Sequence, residues 1–322
     1  MRLIKSDEIL LTGANGLVGS FLLPKLIFNS YKVRVLGRKL NQSSAKEVKV
    51  FNIDSLSADR IYKDALNDVN VVIHLAALVH VMKHPSCNAL EEYKKINFYG
   101  TMNLAHQAAS AGVKRFIFIS TIKVNGEVTR DGKKFYADDI PCPQDPYSQS
   151  KYEAEQALLR LSKVSGMEIV IIRPPLIYGP GVKANFFSIM KWLNRNFSMP
   201  LGGINNKRSF VGVANLTDLI VTCINHPRAA NQIFLVSDDY DVSTTFLLQS
   251  ISFALGKKSN LIRVPVFFLK IFFFAIGKPN FSKRLLESLQ IDITKTKQRL
   301  NWKPPLNFQD GIEETVRHFL VN

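Results

Sequence analysis

Residues 8–23 read EILLTGANGLVGSFLL. A short apolar run suited to a buried strand leads into Gly13, Gly16 and Gly19, and these open a stretch suited to a helix. In a strand–turn–helix unit, the first glycine permits the tight turn. The second lets the backbone approach a pyrophosphate, and the third lets helix and strand pack closely. Amides at the helix start, at Asn15, Gly16 and Leu17, then face negative charge. The glycines alone also fit a plain tight turn; the strand before them and the helix after them favour a bound dinucleotide.

Outward from this unit the pattern repeats. Apolar runs at YKVRVLG, VKVFNI, VNVVIHLAA, KRFIFIS and MEIVIIRPP are mostly separated by helical segments such as YSQSKYEAEQALLRLSKVSG. Near-continuous Val/Ile/Phe strands alternating with helices predict an α/β fold, a doubly wound parallel sheet buried on both faces. The pattern breaks after IIRPPLIYGPG. Residues 1–174 are therefore expected to form the dinucleotide domain and 175–322 a smaller substrate lobe, interleaved with the sheet's last strands.

The second strand ends VRVLGRK. An NAD site usually has a carboxylate here to accept from the adenine ribose. Gly37 takes that place and Arg38 and Lys39 follow, which leaves room and charge for a 2′-phosphate. This leans the cofactor towards NADP over NAD, with a surface basic pair as the plainer reading.

The 322 residues carry 42 Lys+Arg against 26 Asp+Glu, a formal charge of +16. Anionic partners are favoured: phosphorylated small molecules or an anionic membrane surface. No nucleic-acid motif or dense basic stripe with interleaved aromatics is present, so nucleic acid is not expected. Cys87, Cys142 and Cys223, an odd set without CxxC spacing, suggest free thiols in a reducing cytoplasm. The first residues do not read as a signal peptide. His80 and His84 have helical spacing but no nearby acidic or cysteine ligand, so no metal is expected.

Tyr147 and Lys151 lie one helical turn apart in DPYSQSKYEAEQ, residues 145–156. Such a spacing is often only a solvated face. With a dinucleotide-type glycine turn earlier in the chain, it is also the spacing of a proton-transfer pair. A free phenol titrates near ~10; the Lys151 ammonium and the positive charge of an oxidised nicotinamide would favour phenolate. Asp145 and Pro146 suit the N-cap and first position of this helix.

In order along the chain, VIHLAA, INFYGTMNL, FISTIKVNGE, YSQSK, IIRPPLIYGPG, NKRSFVGVANLTDLI and LNWKPPLNFQDGI follow the glycine turn. This set resembles the extended short-chain dehydrogenase/reductases, in the nucleotide-sugar branch of NAD-dependent epimerases and dehydratases that includes UDP-glucose 4-epimerases. The resemblance implies a Rossmann-type fold, a UDP-sugar substrate and a homodimer. It places Ala76, Ala77 and Pro174 along the cofactor, with Asn52 and Ile53 or nearby Asp54 at the adenine. Thr121, Tyr147, Lys151 and Asn97 would be catalytic, with Thr121 and Tyr147 also touching substrate. Asn185 and Arg208 would hold the nucleotide diphosphate. Leu176 and Asn215 depart from the residues that many relatives carry there.

The STIKVNGE form looks most like members acting on UDP-linked N-acetylated deoxyhexosamines for surface polysaccharide such as O-antigen or capsule. Two chemistries at C4 stay open. Gly37–Arg38 favours an NADPH-dependent reductase of a 4-keto-6-deoxy sugar; the overall likeness supports a 4-epimerase with tightly held NAD. A 4,6-dehydratase is disfavoured, since Ile122 and Lys123 stand where an Asp–Glu pair would act. A non-catalytic dinucleotide sensor is the reading from another class. VPVFFLKIFFFAIG, residues 264–277, is too short to span a bilayer and reads as a core helix of the smaller lobe. The alternative is an interfacial membrane contact, which would also permit a polyprenyl-linked sugar.

Overall fold

The computed structural model describes residues 7–38, 48–79, 88–130 and 132–321. Lys39, His80, His84 and Cys87 lie outside them, as does the side chain of Asn185. The strands are β1 (Glu8–Thr12), β2 (Lys32–Gly37), β3 (Lys49–Asn52), β4 (Val71–His74), β5 (Arg115–Ile119), β6 (Glu168–Arg173), β7 (Leu176–Tyr178), β8 (Phe210–Gly212) and β9 (Gln232–Leu235). Seven pair in parallel in the order β3-β2-β1-β4-β5-β6-β9, while β7 and β8 pair with each other. The order reverses between β1 and β4, the switch point at which sheets of this Rossmann type bind ligands.

The helices are α1 (Leu17–Phe28), α2 (Lys63–Leu66), α3 (Ala89–Lys94), α4 (Thr101–Ser110), α5 (Pro146–Ser165) and α6 (Ala184–Asn194). They continue with α7 (Val213–Asn225), α8 (Thr244–Ala254), α9 (Val266–Ala275), α10 (Pro279–Leu286), α11 (Thr294–Leu300) and α12 (Phe308–Val321). Alternate strand residues feed two cores, because successive side chains point to opposite faces. Ile9, Leu11, Ile73 and Ile117 pack with Leu22 of α1 and Leu216 of α7. Leu10, Val72, Phe116 and Phe118 pack with Leu104 of α4 and Leu158 of α5. Both faces are covered, which is why the middles of these strands are apolar.

Beyond β6 a third core gathers Tyr178, Phe186, Leu248 and Ile312 around β7, α6, α8 and α12. β9 then returns to the main sheet beside β6. The core-helix expectation for residues 264–277 is overturned. In α9 only Leu269 is buried, while Phe267, Phe268, Ile271, Phe272 and Phe274 are exposed. An all-apolar sequence does not distinguish a helix enclosed by protein from one held to a small lobe by a single edge.

Candidate active site

The site grows from the carboxyl ends of β1, β4 and β5. Gly13 has φ +75°, and a Cβ there would lie 2.7 Å from the Ala76 nitrogen. A Cβ on Gly19 would fall 2.3 Å from the Gly13 carbonyl oxygen. The turn is thus pressed between α1 and the segment after β4. Gly16 donates its N–H to the Gly13 carbonyl at 3.0 Å. These close approaches leave a cradle that side chains would fill, so the residues fit a pyrophosphate at the start of α1.

Thr12 ties this turn to β4. Its Oγ1 lies 2.9 Å from His74 Nδ1 and accepts from the Ala76 N–H at 3.2 Å, while His74 Nε2 lies 3.0 Å from Thr101 Oγ1. All three side chains are fully buried. Burial first, and the nearby Lys151 second, depress the His74 pKa to about 3, so the ring is neutral. This chain fixes Ala76 and the start of α4, and sequence reading missed it because its partners are distant along the chain.

At the carboxyl ends of β2 and β3, Gly37 pairs with Asn52, and the Ile53 N–H donates to the Gly37 carbonyl at 3.0 Å. Asn15 Nδ2 donates to the Arg38 carbonyl at 3.3 Å. Nothing approaches the Cβ position of Gly37, and the Arg38 side chain is exposed. A cavity of about 380 Å³ lined in part by Leu36, Asn52, Ile53 and Arg60 adjoins these strand ends. Asn15, Arg38, Asn52 and Ile53 are therefore brought together.

α5 carries the second half of the site. Asp145 caps it, accepting from the Ser148 N–H at 2.7 Å, with Pro146 at the first position. Lys123, two residues beyond Thr121, makes ion pairs with Asp145 and, at 3.1 Å, Glu127. Further along, the Lys151 ammonium sits 3.8 Å from the centre of the Phe118 ring on β5. These contacts hold Tyr147 and Lys151 against the end of β5, where Thr121 Oγ1 caps a 3-10 turn by accepting from the Lys123 N–H at 3.3 Å. The Thr121 hydroxyl proton is left for another acceptor. Next to it, Ser120 Oγ is buried without a partner among the described residues.

Tyr147 is mostly enclosed, with the Tyr93 ring edge-on at 5.8 Å. Neither its hydroxyl nor the Lys151 ammonium has a hydrogen-bond partner among the described residues. Burial, followed by Asp145 and Tyr93, raises the phenol's pKa above its ordinary value. Burial lowers that of Lys151 to about 7, partly offset by Glu155. The expected lowering of Tyr147 is thus not found in the chain alone, because desolvation penalises both charged forms.

A profile described as the NAD dependent epimerase/dehydratase family matches residues 9–237. The chain belongs to this family. It is an enzyme class whose cofactor is a nicotinamide dinucleotide, named as NAD in the family's description. A UDP-glucose 4-epimerase of Vibrio cholerae is 46% identical over 315 residues, covering 97% of this chain and 95% of its own. An N-acetyl-alpha-D-glucosaminyl-diphospho-ditrans,octacis-undecaprenol 4-epimerase of Escherichia coli O157:H7 is 25% identical, covering 81% and 76%. The crystal structure of a UDP-glucuronic acid 4-epimerase from Bacillus cereus in complex with NAD superposes with a TM-score of 0.77. It is 20% identical, over 98% of this chain and 99% of that one, and shares the fold.

Three expected site residues also make bonds that the sequence reading did not anticipate. Asn97 lies in a π-helical stretch, Lys95–Gly100, and is fully buried. Its Oδ1 accepts from the Leu78 N–H at 2.8 Å, and its Nδ2 donates to the Leu78 carbonyl at 3.0 Å and Ser150 Oγ at 3.1 Å. Both donors and one of the two acceptor positions are used, so Asn97 ties the loop after β4 to α5. The Pro174 carbonyl, in a turn expected to lie along the cofactor, accepts from the Ile122 N–H at 2.9 Å and ties the β6 turn to the Thr121 loop. Arg208 donates through Nη1 to the Glu287 carbonyl at 2.9 Å. Burial and the nearby Arg284 depress its pKa to about 10, so an anion here would relieve two neighbouring cations.

Asn185 falls in the first turn of α6. Leu176 is exposed at the start of β7. Asn215 is a hub: its Nδ2 donates to Asp238 Oδ1 and the Leu306 carbonyl, each at 2.7 Å, and its Oδ1 accepts from the Leu306 N–H at 2.9 Å.

The Lys151 shift makes a stability prediction. Its folded pKa of about 7 lies below the free value of 10.5. Between these values the unfolded chain holds more protons, so stability rises with pH across that window, and below about 7 the penalty is complete. Lys151→Met is expected to stabilise the protein at pH 6 by ~2 kcal/mol, the lost contact with Phe118 offsetting part of the gain. Turnover falls ~100-fold or more. Thermal melts at pH 6 and pH 10 check this; an equal melting shift at both rejects it.

Proposed function

We propose that this protein is a UDP-sugar 4-epimerase using NAD, acting on UDP-glucose or an N-acetylated counterpart in surface polysaccharide synthesis. The observation that carries the proposal is the 46% identity, over 97% of the chain, with the Vibrio cholerae UDP-glucose 4-epimerase. The placing of Thr121 just after β5, and of Lys151 on the Phe118 ring of the same strand, supports it. The proposal includes a homodimer and a cytoplasmic location.

When bound, the nicotinamide supplies a hydride acceptor and, in its oxidised form, a positive charge beside the phenol. Tyr147 takes the proton from the sugar C4 hydroxyl and later returns it. Thr121 donates its free hydroxyl proton to the C4 oxygen and holds its orientation. Lys151 lends positive charge to the phenolate from the same helical face. Tyr93, packed on the Tyr147 ring, shields the pair from water. Arg208 and Asn185 are proposed to hold the nucleotide diphosphate. The Lys123 ion pairs put a cation where a 4,6-dehydratase would need free carboxylates.

A second reading, an NADPH-dependent 4-reductase of a 4-keto-6-deoxy sugar, is supported by the open space at Gly37 and the exposed Arg38. One experiment separates the two: identification of the nucleotide retained on purification, followed by assay without added cofactor. Retained NAD with interconversion of UDP-glucose and UDP-galactose, or of their N-acetylated forms, is expected. Stoichiometric NADPH consumption with a UDP-4-keto-6-deoxy sugar, and no interconversion, would replace the epimerase by the reductase. Absence of any turnover in wild type would leave the sensor reading.

A further inference from the structure

We propose that α9 and α10 form a docking surface for an anionic lipid bilayer. The observation behind this is the exposed face of α9. Phe267 is 67% exposed and Phe274 is 78% exposed, with Phe268, Ile271 and Phe272 beside them. So large an apolar face on one short helix marks an interaction surface. The two helices form a braced unit: Phe273 packs edge-on against Phe281 at 5.4 Å, and the Lys278 N–H donates to the Phe273 carbonyl at 2.8 Å. Leu269 anchors the unit to the small-lobe core.

Charge identifies the occupant. From Lys257 to Leu286 the sequence holds seven basic residues and no acidic one. Lys270 pairs with Glu287 at 2.7 Å. Lys257, Lys258, Arg263, Lys278, Lys283 and Arg284 are exposed and make no ion pair among the described residues. A second copy meeting this face across a two-fold axis would set like charges against each other. A bilayer surface rich in anionic headgroups accepts both features, with phenylalanines entering the acyl boundary and cations meeting phosphates.

No helix among the described residues is long and apolar enough to cross a membrane. At ten residues, α9 is about 15 Å long and would lie in the interface plane. Glu287 joins the surface to the substrate side, since its carboxylate holds Lys270 and its carbonyl accepts from Arg208. Docking would therefore bring the Arg208 region close to the headgroups. The inference is independent of which C4 chemistry the enzyme performs.

Co-sedimentation of the full chain with vesicles tests it, comparing phosphatidylcholine alone with phosphatidylcholine containing about 30% phosphatidylglycerol, an anionic lipid. Binding to the anionic vesicles alone is expected. The paired variants Phe267→Ser/Phe274→Ser and Lys278→Glu/Lys283→Glu should each weaken it about tenfold or more. Both should keep the wild-type circular dichroism spectrum and turnover. Wild type remaining in the supernatant overturns the proposal. So does a Phe267→Ser/Phe274→Ser variant that binds as wild type, which would mean diffuse adsorption of a basic protein. A lipid-free dimer that the same variant dissociates, without vesicle binding by wild type, would make a second copy the occupant and also overturn it.

Discussion

Tyr147→Phe is expected to lower kcat by about a thousandfold or more, within the range for losing a general acid–base group. Affinity for UDP and the melting temperature should barely change. The Tyr147 hydroxyl has no hydrogen-bond partner among the described residues, so its removal leaves no other group unsatisfied. The ring keeps its contact with Tyr93 in the variant. Because burial raises this phenol's pKa, the wild-type group holds its proton at neutral pH until positive charge gathers beside it. The check is turnover at saturating UDP-sugar, with UDP binding by calorimetry and a thermal melt. A variant within a few-fold of wild-type kcat would remove Tyr147 from the chemistry.

The parts of this molecule legible in its sequence are those set by local geometry or by burial on both faces. The β1–turn–α1 unit is one, since Gly13 and Gly19 stand where any Cβ would collide with backbone. The Asp145–Pro146 start of α5 is another, because capping depends on adjacent residues. The parallel strands follow from their continuous apolar runs.

What escaped depends on partners far apart in sequence. Asn97 reaches residues 19 and 53 positions away, inside a π-helical turn that local pattern does not mark. The Arg208 guanidinium reaches the Glu287 carbonyl across 79 residues. His74 was only part of a motif until its bonds to Thr12 and Thr101 showed how the switch point is held. The phenylalanines of α9 satisfy core and interface patterns equally; only their exposure separates them.

The largest expected loss of stability comes from Arg173→Met. The Arg173 side chain, enclosed at the end of β6, donates to both carboxylate oxygens of Glu155 on α5, at 3.0 and 2.5 Å. Its Nη1 also donates to Asn125 Oδ1 at 3.0 Å in the loop after β5. One guanidinium thus joins three elements that carry Thr121, the Pro174 turn and the Tyr147–Lys151 helix. Removing it strands a buried carboxylate, at a cost of ~3–5 kcal/mol. Arg173→Met/Glu155→Leu removes both members of the pair and should recover most of that loss. Denaturant unfolding of the singles and the double measures the coupling; additive losses would reject it. The double variant also separates stability from function. Glu155 is the group that partly offsets the burial of Lys151, so without it the lysine's pKa falls further. A protein that unfolds near the wild-type midpoint but turns over poorly at neutral pH is the expected result. It would show that this pair serves the site as well as the fold.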